Sequence, residues 1–220
     1  MTTAYNPLPD IESIRVNNNP VLYSPNSTYA IGFYQTRDSL VDADTYRIFL
    51  KNIESRVRKS IAYKHYKAHL MDNGLDHCQI HGYINSTMAD LEMHHAILTL
   101  FDIALMISEH YLNTTGYVSS FDVVQTIINE HKENHIALVM LTKTPHQIYH
   151  NDNSFFIHPD MCIGNWPVLI DRYKDGLTQD VSFKLLYYIK RAIEIGKTDD
   201  AGLLELREKI KDWSGICEQL

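Results

Sequence analysis

Two apolar stretches that lead into histidines dominate the middle of this 220-residue chain. Residues 91–97 read LEMHHAI, and residues 138–150 read LVMLTKTPHQIYH. Each stretch begins with an apolar run of strand length, and the second continues through a proline to two histidines four positions apart. Because proline is well tolerated in the first turn of a helix, the second stretch predicts a strand followed directly by a helix.

The histidines in these stretches are spaced so that their rings converge. His146 and His150 stand at positions i and i+4, which places both on one face of the predicted helix. His94 and His95 end the first strand, about fifty residues earlier in the chain. Imidazole is the commonest protein ligand for transition metals, so this spacing predicts a metal site.

This arrangement resembles the HNH nucleases, the histidine-metal-finger family with a ββα-metal fold. In that family an apolar strand ends in a histidine doublet, a second strand of the form L-V-x-L follows, and a short helix begins with a histidine. Residues 91–95, 138–141 and 146–150 match these three parts in the same order.

The resemblance implies a role for each histidine. His94, His146 and His150 would bind one divalent ion (Mg²⁺, Mn²⁺, Ni²⁺ or Zn²⁺), which stabilises the charge developing on a scissile phosphate. His95 would be the general base, since the pKa of an ordinary imidazole lies near neutrality. Asn134 is nearest to the family's middle asparagine and is the second candidate catalytic residue.

The function implied by the resemblance is hydrolysis of DNA phosphodiester bonds by a metal-dependent HNH-type endonuclease. Two alternatives stay open at this point. One is a catalytically degenerate structural or accessory protein of the phage type that keeps the HNH fold. The other is a metal-dependent hydrolase of small phosphoesters.

The charge distribution bears on the partner of the protein. The formal charge of −7 argues against a protein that simply coats nucleic acid. Residues 44–69, however, contain seven Lys or Arg against two acids. This segment predicts either a solvated helix face or a helix that contacts phosphates, with Arg56, Arg58 and Lys59 as candidate nucleic-acid-binding residues and DNA as the partner.

We expect an α+β fold, a mainly helical single domain around a small ββα-metal core with a helical insertion. Residues 1–40 predict an irregular N-terminal arm, a candidate contact for a protein partner. Residues 41–180 predict the core, with the insertion at about residues 97–133, and residues 181–220 predict C-terminal helices. The three widely spaced cysteines and the lack of any long apolar run favour a cytoplasmic protein with no membrane association, in the host cytoplasm if a phage encodes it.

The periodicity and turn signals predict the remaining elements. Helices are expected at residues 44–70, 98–112, 119–133, 182–195 and 203–213. Strands are expected at residues 78–84 and 154–159, and a loop at residues 164–167.

Overall fold

The structure, a computed structural model, describes residues 33–151, 155–196 and 200–216, apart from the side chains of residues 150 and 151. Over these residues the chain forms eight α-helices and two antiparallel sheets of two strands each. The expected α+β, mainly helical class is therefore confirmed. Most of the predicted N-terminal arm lies outside the described residues.

Helices and strands alternate along the first two thirds of the described chain, and helices alone follow. In chain order the elements are β1 (Tyr34–Thr36), α1 (Ala43–Lys59), α2 (Ile61–Asp72), β2 (Leu91–His95), α3 (Leu100–Thr114), β3 (Tyr117–Ser119), α4 (Ser120–Lys132), β4 (Leu138–Thr142), α5 (Lys143–Asn151), α6 (Trp166–Arg172), α7 (Gln179–Gly196) and α8 (Ala201–Ser214). None of the helices in the described ranges is both long and apolar enough to cross a lipid bilayer.

The segment predicted as one helix at residues 44–70 is two helices that meet at Ser60. The Ser60 side chain donates to the carbonyl of Val57 at 2.8 Å and accepts from the backbone N–H of Tyr63 at 3.1 Å. One hydroxyl thus ends α1 and caps α2, because serine competes for backbone groups at helix ends. The buried side of α1 is formed by Leu50, Ile53 and Val57.

The two histidine-bearing stretches form the predicted strand–strand–helix arrangement. Strand β2 pairs antiparallel with β4, in a register that sets His94 opposite Val139 and His95 opposite Leu138. Helix α5 begins at the residue after β4 ends. All five residues of β4 are buried, which explains why its sequence is a continuous apolar run.

Residues 78–84 were predicted as a strand, and this prediction is wrong. The segment turns instead, and Gln79 pairs with the middle of the edge of β4 that faces away from β2. The Gln79 backbone N–H donates to the carbonyl of Met140 at 2.9 Å, and the Gln79 side chain accepts from the Met140 N–H at 2.7 Å. Ile163 exchanges two backbone hydrogen bonds with Leu138, and the Thr142 N–H contacts Cys78 Sγ, so separate loop residues satisfy an edge that a third strand would otherwise cover.

The two helices predicted at residues 98–112 and 119–133 are present as α3 and α4, with the short strand β3 between them. Helix α3 begins with a capping box between Thr99 and Asp102, and Ser119 caps α4. Strand β3 pairs with β1 near the N-terminal end of the described chain.

The C-terminal helices are also confirmed, but two predictions between β4 and α7 are wrong. Residues 155–158 form no strand, and Trp166, predicted in a loop, begins α6. Proline follows Trp166 in the first turn of that helix, where its missing N–H costs nothing. Gly164 has φ of +103°, and a side chain there would meet the carbonyl oxygen of Ile136 at 2.1 Å, so only glycine fits this approach to β4.

Candidate functional site

The two residues of the histidine doublet serve different parts of the molecule. Successive side chains of a strand point to opposite faces. His94 therefore faces α5 and an open cleft, and the His95 ring reaches His131 of α4. Both side chains are buried, at 5% and 3% exposure.

The cleft has a volume of about 440 Å³ and lies between β2, α5 and the junction of α1 with α2. Its lining combines acidic, basic and imidazole groups: Arg58, Tyr63, Lys67, Glu92, Met93, His94, His95, Thr99, Leu100 and His146. Glu92 and His94 stand two residues apart on β2 and so share one face of that strand.

Two contacts bring the α5 histidine to that strand face. The His146 Nδ1 atom is paired with the carboxylate of Glu92. The His146 ring lies edge-on to the His94 ring, with centroids 4.8 Å apart. Tyr149, one turn along α5, packs against the His94 ring at 4.5 Å and donates from its hydroxyl to the carbonyl of Ala96 at 2.8 Å. The predicted convergence of His94 and His146 is therefore present.

His95 forms a buried histidine pair with a residue that the sequence did not single out. The Nε2 atoms of His95 and His131 lie 3.0 Å apart, and the Nδ1 atom of His131 lies 2.7 Å from the carbonyl oxygen of Ile127. Since that oxygen only accepts, His131 Nδ1 carries the proton, and its Nε2 accepts from the Nε2–H of His95. The rings of Tyr63 and Tyr66 enclose the pair.

The buried position of this pair makes both rings hard to protonate. Burial lowers the pKa of His95 well below its ordinary value, and the neighbouring imidazole of His131 lowers it further. Burial also lowers the pKa of His131 to about 4, although its bond to the Ile127 carbonyl works in the opposite direction. A second proton on His131 would go to its Nε2 atom and place two N–H groups face to face between the rings, whereas His95 would take a proton at Nδ1, which is buried. His95 therefore sits in a poor environment for a general base that must exchange protons with water.

The other predicted site residues are not all in the cleft. Asn134 lies in the turn after α4, with φ of +55°, and lines a separate groove with His65, His69 and Lys132. Its side-chain oxygen accepts from the hydroxyl of Tyr66 at 2.8 Å. His150 belongs to α5, but its side chain lies outside the described part of the structure, so its metal role stays a prediction.

The three predicted nucleic-acid-binding residues divide between two sides of α1. Arg56 faces α4, where its guanidinium lies 4.9 Å from the centre of the Phe121 ring and donates to the Ser120 hydroxyl. Arg58 and Lys59 are exposed on the other side, where Arg58 pairs with Glu54 at 3.0 Å. Arg56 is exposed as well, so for all three residues the contact with nucleic acid stays a prediction.

A second polar cluster, which the sequence analysis missed, lies at the end of α4. Among the described residues it is the one group of three potential ligand side chains whose donor atoms all lie within 4.8 Å: Glu130, Glu133 and His135. Arg172 already bridges both carboxylates, at 2.6 and 3.1 Å. The spacing of acids at i and i+3 with a histidine two residues later was the signal in the sequence.

Glu130 is the centre of this cluster and is almost fully buried. Burial opposes its charged form, but hydrogen bonds from Tyr173, His135 and Arg172 outweigh that effect and lower the pKa of the carboxyl below its usual value. The paired cation and the full set of hydrogen bonds identify a structural anchor between α4 and α6 rather than a site prepared for an ion.

The donor set in the cleft has the chemistry of a transition-metal site. Two imidazoles and one carboxylate, from His94, His146 and Glu92, suit Zn²⁺, Ni²⁺ or Mn²⁺ better than Mg²⁺, which prefers oxygen ligands. Their donor atoms do not all lie within 4.8 Å of one another, so one side chain must turn to complete the set.

The geometry so far defines an α+β protein with an open histidine-lined cleft and a closed histidine pair behind it. The family model described as bacteriophage G278-like virion protein matches residues 10–212, which is most of the chain. The chain therefore belongs to the bacteriophage G278-like virion protein family. Comparison with curated proteins and with solved structures gives no match.

This finding corrects the resemblance to HNH nucleases. The match to the virion protein family includes both histidine-bearing stretches. The chain therefore belongs to that family, and its assignment to the HNH nucleases is wrong. The physical reason for the error is that a short strand ending in two histidines occurs both in a metal-binding finger and in a strand whose histidines pack against other rings. In this fold both histidines border the cleft, but His94 contacts His146 on its open side and His95 packs against His131 in the core. The phage origin that accompanied the resemblance is supported.

Proposed function

We propose that this protein is a structural or accessory component of a bacteriophage particle, and that its histidine doublet serves folding and the cleft rather than hydrolysis. The family match across residues 10–212 is the observation that carries the proposal. The burial of His95 against His131 supports it, because a side chain enclosed in this way stabilises a core. The protein then resides in the particle after assembly, and not only in the host cytoplasm.

The test is the composition of purified particles. Phage are banded on a density gradient, and the protein is quantified by mass spectrometry against the major capsid protein and against an abundant host protein. We expect a fixed copy number per particle that survives a high-salt wash. Recovery in the lysate alone, at host-contaminant level in the band, contradicts the proposal.

A plasmid-nicking assay addresses the alternative of an enzyme. The purified protein is incubated with supercoiled plasmid and Mg²⁺, Mn²⁺, Ni²⁺ or Zn²⁺, beside the His95→Ala variant. We expect no nicking that depends on His95. Metal-dependent nicking by the wild type that disappears in His95→Ala contradicts a structural role for the doublet.

We also propose that the cleft binds one divalent ion through Glu92, His94 and His146. The observation that favours this second proposal is the convergence of the three side chains from β2 and α5. An ion bound there would join the strand to the helix. It would raise the unfolding temperature, because a ligand that binds only the folded state stabilises it.

Metal content after dialysis against Zn²⁺, measured by plasma mass spectrometry, tests this second proposal. We expect about one ion per chain in the wild type, and loss of that ion in both His94→Ala and His146→Ala. His77→Ala, at a half-exposed histidine outside the cleft, is the matched control and should keep the ion. Equal metal content in all four proteins contradicts the site.

A further inference from the structure

Positive charge is concentrated on one part of a chain that is otherwise strongly acidic. Residues 44–69 carry seven Lys or Arg and two acids, whereas the whole chain carries 20 and 27. The remaining residues therefore carry 13 basic and 25 acidic side chains, a net charge of −12 against +5 for the segment. The structure places that segment on α1 and α2, at the mouth of the histidine cleft.

The cations of α1 lie on different sides of that helix. The buried residues of α1 set one side of the helix, and Arg56 is turned toward α4. Lys51, Arg58 and Lys59 lie on the side away from α4, where they line a shallow groove with Glu54 and Ser55. On α2, Lys67 lines the cleft, and Lys64 is exposed three residues before it, which makes the two neighbours on the helix surface.

The groove and the cleft adjoin, because Arg58 lines both. We define the basic face as the cations of this groove, of the cleft and of the neighbouring surface of α2: Lys51, Arg58, Lys59, Lys64 and Lys67. The acids that line it are Glu54, which is paired with Arg58, and Glu92, which is paired with His146. The face therefore keeps a net positive charge, and from Lys51 to Lys59 it follows the helix for roughly 12 Å at 1.5 Å per residue.

We propose that the basic face docks the phosphate backbone of double-stranded nucleic acid. Charge complementarity selects this partner, since an exposed row of cations on an acidic protein matches a regular row of phosphates. The inference rests on the proposed function, because it names the component of a phage particle that the protein would contact. The contacts are to phosphates, so they position the protein without selecting a base sequence.

The test is the salt dependence of binding to a 30-base-pair duplex of arbitrary sequence, followed by fluorescence anisotropy in buffers of increasing KCl concentration. Lys67 already donates to the carbonyl of Leu91 at 2.6 Å, which leaves four cations of the face for phosphate contacts. Four contacts predict a slope of log affinity against log salt of about −3 to −4, since each contact contributes about 0.9. Lys51→Gln with Lys59→Gln should reduce the magnitude of that slope by roughly two units, for every duplex sequence tried. Neither lysine makes an ion pair within the described structure, so this variant should fold normally.

Two controls carry equal or smaller charge changes away from the face. Lys190→Gln with Lys209→Gln removes two positive charges from α7 and α8 and should leave the slope unchanged. Arg56→Gln removes one charge from α1 itself, on the side that packs against Phe121, and should also leave it unchanged. A slope that responds equally to both double variants means a general charge effect and overturns the proposal.

The remaining outcomes separate this inference from the proposed function. No duplex binding by the wild type at low salt overturns the basic face, whereas the particle measurement still decides virion membership. Displacement of the duplex by poly-glutamate at equal charge concentration overturns the choice of partner in favour of an acidic protein. Duplex binding by a protein that is missing from particles keeps the basic face and overturns the proposed function.

Discussion

Each histidine of the doublet contacts one further histidine, and the two pairs differ in exposure and in charged neighbours. His94 and His146 meet at an open cleft, where the His146 side chain is 29% exposed and is paired with a half-exposed Glu92. His95 and His131 meet inside the protein, where burial keeps both rings neutral. His94 and His95 are themselves equally buried, but strand side chains alternate, so one contacts a part-exposed histidine and the other a histidine of the core.

This contrast shows what the histidine motif can and cannot indicate. When two histidines follow each other in a strand, their imidazoles point to opposite faces of that strand. The motif does not fix which direction is solvent, since that depends on helices placed elsewhere in the chain. Here α4 covers the His95 side, and α5 borders the cleft on the His94 side.

The largest effect should come from breaking the buried pair. His131→Ala removes the acceptor for the Nε2–H of His95 and the ring that packs against Tyr63 and Tyr66. We expect the free energy of unfolding to fall by about 3 to 4 kcal/mol, from an unpaired buried donor and a cavity together. Urea denaturation followed by circular dichroism measures this change. A loss below about 1 kcal/mol contradicts a core role for the pair.

Acid should act on the same pair and almost as strongly. The folded-state pKa of His131, about 4, lies below the ordinary value of 6.5. Above pH 6.5 neither the folded nor the unfolded state is protonated, so His131 contributes no pH dependence. Between pH 6.5 and 4 His131 is protonated in the unfolded state but not in the folded state. The free energy of unfolding therefore falls as the pH falls.

The size of this acid effect follows from the shift. At about 1.4 kcal/mol per pKa unit, His131 alone should cost roughly 3 kcal/mol of stability between about pH 7 and pH 4. Urea midpoints at several pH values measure it, with His131→Gln as the non-titrating reference. Identical pH profiles for wild type and His131→Gln contradict the assignment of this effect to His131.

The smallest effect should come from the open side of the comparison. His146→Ala removes a part-exposed ring whose charged partner is also part-exposed, so its loss in chelator-containing buffer should cost less than about 1 kcal/mol. The same urea measurement as for His131→Ala gives the ratio of the two effects. A cost equal to that of His131→Ala would mean that the cleft is part of the core.

Much of this fold could be predicted from local signals in the sequence. Apolar periodicity or capping residues in the sequence mark most of the elements. These are the strands at residues 91–95 and 138–142, the helix that follows Thr142, the two helices between residues 98 and 133, and the C-terminal helices. The convergence of His94 with His146 followed from those elements, because one strand pairing and one helix start were enough to bring the rings together.

The parts that could not be predicted depend on contacts between distant residues. Gln79 ends up on the edge of β4 through two hydrogen bonds that no local pattern encodes. Nothing in the local sequence indicates that His131 is buried, because its partners are distant in the chain. His95 lies 36 positions before it, and Tyr66 lies more than 60 positions before it. Ser60 is a different case, since its ability to end one helix and begin the next is a local signal that a continuous apolar stripe concealed.

The most direct test of the account is the titration of the His131 imidazole, followed by its ring nitrogen and carbon signals in NMR spectra from about pH 8 down to about pH 4. We predict a neutral ring with its proton on Nδ1, held by the Ile127 carbonyl, and no protonation until the pH approaches 4. Titration of His131 near 6.5 in the folded protein would contradict it, because a ring that gains a proton so readily is in contact with water.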